Sequence, residues 1–187
     1  MQMANLKIKK GFTLVELMVG MTIFTLILAA VIGILISGIK IQRLILSQQQ
    51  ALDQLSFAIE YMSRALRMAK REDGTFACLS NDLSYQNPNS PNISSVRFIN
   101  HLQGDDCQEF SLGGPQGNQI KYSIKINQVR EDLYLTSSGL TIQALSFKLQ
   151  GESKSDTIQP RITIFLNITS PLILRLQTTI SQRNLDI

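Results

Sequence analysis

Tryptophan is absent from this 187-residue chain, histidine occurs once, cysteine twice, and aromatic residues make up only 6%. Each shortage removes a class of function. Without Trp, and with Phe and Tyr thinly spread, there is no aromatic platform for sugars or nucleic-acid bases. The single histidine, His101, falls in a predicted turn beside Asn100 and near Asp105 and Asp106, where it reads as a solvated residue. No nucleophile elbow, paired catalytic carboxylates, phosphate loop or Cys/His metal spacing occurs. The acidic run at 104–109 (GDDCQE) lacks the regular alternation of oxygen ligands that a calcium loop needs. The reading is of a non-enzyme with no cofactor and no metal.

Charge of one sign is also scarce. The net charge is +4, but Lys7, Lys9 and Lys10 supply most of it, and without residues 1–11 there are 15 bases against 14 acids. Direct nucleic-acid binding through bulk charge is therefore not expected. Cys78 and Cys107 lie beyond the apolar N-terminal region. If that part of the chain is exported, an even count favours one disulfide, closing a loop of about 30 residues at roughly 3–4 kcal/mol. Two buried thiols are the alternative.

What the sequence does have is one long apolar run. Residues 17–39 hold 23 positions without a formal charge, which as a helix span about 34 Å, enough for a hydrocarbon core of about 30 Å. The lysines before the run favour a cytoplasmic N-terminus. Secretory signals are cut after their apolar core at a small-residue site, and no such site follows here. The candidate cut precedes the run, at Gly11–Phe12, and leaves the apolar helix on the mature chain. Glu16 is then four residues past the cut, at the edge of the span, where a carboxylate is costly unless paired. A freed α-amine on Phe12 is a natural partner, within one helix or between staggered helices, so the acid can set axial register. The other reading is a carboxylate that snorkels to the headgroups. Ala29, Gly33 and Ser37, spaced by four, align small residues on one helix face, though scattered small residues are common in any membrane span.

Residues 9–17 (KKGFTLVEL) with the apolar tract behind them closely resemble the signal of prepilins and pseudopilins, in which a basic leader ending in Gly precedes Phe-Thr-Leu-x-Glu-Leu. The resemblance implies cleavage after Gly11 by a membrane prepilin peptidase, methylation of the Phe12 amine, and a docking role for Glu16. It also implies a type IV pilin-like α+β fold, partners among other pilins or pseudopilins, and a membrane platform protein and cytoplasmic ATPase for assembly. Residues 62–69 (MSRALRMA), 159–164 (QPRITI) and 176–184 (LQTTISQRN) are similar to J-type minor pseudopilins.

Beyond the span the helical period continues through Leu44, Ala51, Leu52, Leu55, Ala58, Ile59, Met62, Ala65, Leu66 and Ala69. The spacing predicts one helix over 12–71, with Gly74 as its stop. A turn-rich loop is predicted at 80–95. Period-two alternation then predicts strands at 96–99, 108–112, 120–126, 132–135, 139–149, 162–168 and 174–180, with a bulge near Ala144. One-sided alternation argues for an antiparallel sheet whose buried face lies against the helix. The predicted organisation is a cleaved leader at 1–11, a membrane and assembly half-helix at 12–39, an amphipathic half at 40–72, and an extracytoplasmic head at 73–187. Asn92-Ile93-Ser94 and Asn167-Ile168-Thr169 fit a glycosylation sequon, which carries little weight in a bacterial-type protein. The expected function is that of a structural minor pilin or pseudopilin of a type II secretion-type filament, lodged in the bacterial cytoplasmic membrane before assembly. A pilus subunit for adhesion, motility or DNA uptake is the close alternative. A signal-anchored surface protein that never polymerises is the alternative of another class.

Overall fold

In a computed structural model, which describes residues 11–75, 77–80, 82–88, 93–126, 129–153 and 158–183, the helical period yields a single α-helix, α1 (Leu14–Arg67). The basic leader, residues 89–92 of the connecting loop with Asn92 of the first sequon, and Asn184 lie outside the described residues. The chain divides into two compact units, Met1–Leu46 and Ser47–Ile187.

The described part of the first unit is helix from Leu14 onward. Every described residue up to Leu46 is exposed, and α1 carries a stretch long and apolar enough to cross a membrane, none of it buried inside the molecule. A helix apolar on all sides needs either a protein core or lipid around it, and no protein core surrounds this one. Two threonines within the stretch are satisfied locally. The Thr22 hydroxyl donates to the Val19 carbonyl at 2.8 Å and the Thr25 hydroxyl to that of Thr22 at 2.9 Å, as hydrocarbon surroundings demand.

In the second unit the rest of α1 presents Ala51, Leu55, Ala58, Met62, Ala65 and Leu66 as a buried stripe. Of the other predicted stripe residues, Ile59 is half-buried against the core, while Leu44 and Leu52 are exposed. The strands are β1 (Ala69–Lys70), β2 (Ser95–Asn100), β3 (Asp106–Gly113), β4 (Gln119–Ile126), β5 (Val129–Tyr134), β6 (Thr141–Gln150), β7 (Arg161–Ser170) and β8 (Leu174–Ser181). All described pairings are antiparallel. They form two sheets, β1-β2-β3-β4-β5 and β6-β7-β8, where the alternation predicted one. The division follows from the link after β5. Thr136 is buried there, its hydroxyl accepting from the Ile120 amide at 3.0 Å and its carbonyl from Gln119 Nε2 at 2.8 Å. These bonds fold the chain across the start of β4, and β6 begins a new sheet with its Ile142 amide on the Asn118 carbonyl. Residues from both sheets, among them Phe98, Phe110, Tyr122, Phe147, Ile162 and Ile164, share one core with the buried stripe. The register of β6 against β7 steps between Ile142 and Ala144, the irregularity expected near Ala144.

The helix ends four residues before Arg71, and Gly74 does not terminate it. Tertiary donors take the carbonyls at its end. The Tyr85 hydroxyl binds that of Leu66 at 2.7 Å and the Arg183 amide that of Arg67 at 2.8 Å. Past the end, the His101 amide binds Met68 O at 3.1 Å and Gln182 Nε2 binds Ala69 O at 2.7 Å. Ala69 and Lys70 are thereby drawn into β1, beside Asn100 and Ile99 of β2.

Candidate processing and assembly segment

Gly11 and Phe12 precede α1 in extended, irregular backbone, and the Phe12 ring is 82% exposed. A Cβ built on Gly11 would meet no atom of the described residues within 4 Å, and its backbone is not in the left-handed region. The fold therefore gives no reason for glycine at this position. Thr13 opens the helix. Its hydroxyl accepts from the Glu16 amide at 3.3 Å and its carbonyl from the Leu17 amide at 3.2 Å. Thr13 and Glu16 have the spacing of a capping box, a signal passed over in the sequence reading, which weighed Glu16 only as a membrane carboxylate. Glu16 lies in the first turn, where the helix's unpaired amides favour an anion. Thr13 thus fixes where the helix begins, with Gly11 and Phe12 before it and Glu16 in its first turn.

Residues 6–32 match the family model of the prokaryotic N-terminal methylation motif. The chain carries the signal of type IV pilins and pseudopilins. Within that prepilin-type signal, Gly11, Phe12, Glu16 and the start of the apolar tract all fall inside the match. No curated protein and no solved structure gives a significant match to the chain.

The cysteines lie in the other unit, away from the prepilin-type signal in sequence. Cys78 and Cys107 are joined by a disulfide, with their Cα atoms 5.6 Å apart and 29 residues of separation. The bond ties the segment after β1 to the start of β3. A buried carboxylate, Glu72, organises that segment. It accepts from the amides of Gly74 at 3.1 Å, Cys78 at 3.0 Å and Leu79 at 3.3 Å. Sequence reasoning missed Glu72, since its partners are backbone amides and no side-chain pattern marks them. Cys78, Leu79 and Ile99 form a small second apolar cluster, with Leu83 and Cys107 against it. His101 and Asp105 pair at 2.9 Å, and Lys70 reaches the other oxygen of Asp105 at 3.3 Å. Asp105 of the acidic run is thus held by His101 and Lys70. Among the described residues, no group of three or more His, Cys, Asp or Glu side chains could hold a metal ion.

Proposed function

We propose that the protein is a structural minor pilin or pseudopilin of a type II secretion-type filament, with a J-type subunit as the preferred class. A prepilin peptidase cleaves after Gly11 and the Phe12 amine is methylated. The apolar helix holds the subunit in the cytoplasmic membrane, N-terminus inward and head outside, until a platform protein and its ATPase extract it into the filament. Leader, membrane half, amphipathic half and head divide near residues 11, 39 and 72. The observation that carries this reading is the match over residues 6–32, joined to a Gly11 that the fold itself does not require. The disulfide supports placing the head in an oxidising compartment.

Glu16 is the residue on which the polymerising and merely anchored readings part. An isolated carboxylate at the edge of lipid is a cost that an anchor has no use for, whereas a filament uses it to pair with the Phe12 amine of a neighbouring subunit. Glu16→Ala should leave cleavage and membrane insertion intact, because it makes the span more apolar. The variant should be depleted from sheared filaments relative to the parent. Recovery at the parent's yield would remove the docking role.

A further inference from the structure

The face of the first sheet that points away from the core carries a ladder of charge. Arg97, Glu109, Ser123 and Asp132 are successive neighbours across β2, β3, β4 and β5. Arg97 donates to Glu109 Oε2 from Nε at 3.3 Å and from Nη2 at 3.0 Å. Arg130 donates to the Ser123 hydroxyl at 3.0 Å and to Asp132 at 3.2 Å, and lies 3.6 Å from Glu109 Oε1. The adjacent row reads Cys107, Lys125, Arg130. Two cations therefore stand directly opposite each other on β4 and β5, an arrangement that costs stability unless an anion lies between them. Lys125 is exposed and has no ion pair among the described residues.

Between these rows lies an open cleft of about 300 Å³, walled by Ala77 and the disulfide and lined by Arg97, Glu109, Lys125 and Arg130. Three cations thus line the cleft with Glu109, while Asp132 pairs with Arg130 at its edge and Lys125 is left without a carboxylate among the described residues. The imbalance is local, because residues 47–187 contain 13 bases and 13 acids. We propose that this cleft is an oxyanion site, taking a single carboxylate or phosphoryl group between Lys125 and Arg130. The Arg130 guanidinium offers planar donors and Lys125 a mobile point charge. Glu109 holds Arg97 in place and, with Asp132 nearby, repels a polyanion, so a compact group with one or two charges fits and a nucleic-acid strand does not.

The test is calorimetric titration of the full-length protein in neutral-detergent micelles at low ionic strength, with sodium phosphate and, separately, succinate. Saturable binding of at least one is expected, and whichever binds names the source of the oxyanion. Lys125→Gln should weaken it roughly tenfold, the loss of one charge-assisted contact. Lys125→Glu supplies the missing anion from the chain itself. It should abolish binding and raise the melting midpoint by roughly 1–3 °C. No saturable heat with either probe, unchanged affinity in Lys125→Gln, or a lowered midpoint in Lys125→Glu would each overturn the proposal.

Discussion

At Gly11, a Cβ would meet no atom of the described residues within 4 Å, so a side chain there costs the described fold nothing. Any need for glycine must come from a partner that approaches the backbone, and a peptidase cutting the next bond is such a partner. Gly11→Val is therefore expected to fold and insert normally but to remain uncut. The precursor would be heavier by 11 of 187 residues in 20.9 kDa, about 1.2 kDa, and immunoblotting against the parent reads the difference. A mature chain of parental size would contradict the steric argument. Residues of the head that titrate give a second prediction. The Ser123 hydroxyl, then Arg130 and Lys121, hold the Asp132 carboxyl below its ordinary 3.8 against a smaller opposing effect of burial. A depressed folded-state value means that the stability Asp132 contributes is complete above 3.8 and is lost as pH falls through the lower value. The gap in melting midpoint between the parent and Asp132→Asn should thus be constant near neutrality and narrow below 3.8. A gap that widens on acidification would contradict the assigned sign. The prepilin-type signal that contains Gly11, Phe12 and Glu16 was legible in the sequence because its offsets are local. Glu72 was not, because the loop that it binds forms only in the folded head.

Among the elements, the end of α1 shows where local pattern yields to tertiary structure. Apolar spacing carries on to Ala69, yet the helix stops at Arg67 because the Tyr85 hydroxyl, the Arg183 amide and Gln182 take backbone carbonyls at and just beyond its end. Burial pushes the Tyr85 phenol well above its ordinary value, so it stays a neutral donor across any working pH. Tyr85→Phe keeps the ring's packing and removes that donor, leaving the Leu66 carbonyl unpaired. The cost should be roughly 1–3 kcal/mol, a fall of about 2–10 °C in the melting midpoint of a protein this size. An unchanged midpoint would mean that the carbonyl finds another partner. The strands β4, β6, β7 and β8 were readable because apolar residues recur at every second position along most of each, whereas β5 is exposed along its whole length and offers no buried face to read. By contrast, β1 is too short to show a period, and pattern alone cannot say that β5 and β6 part company. That division rests on Thr136, Gln119 and Asn118 bonding around the turn between them.

For the molecule as a whole, the two units have opposite relations to water. Ser47–Ile187 buries its apolar residues in a shared core, while the described part of Met1–Leu46 buries none. Continuous apolar exposure on that scale belongs to lipid or to an assembly of helices. Processing at Gly11 keeps this surface on the mature protein, whereas cleavage behind the span would discard it. The position of the mature N-terminus therefore decides the central question. Mass spectrometry of the N-terminal peptide, from protein made together with a prepilin peptidase, should find a chain beginning at N-methylated Phe12. A chain that still begins at Met1, or one that begins beyond Ile39, would contradict it.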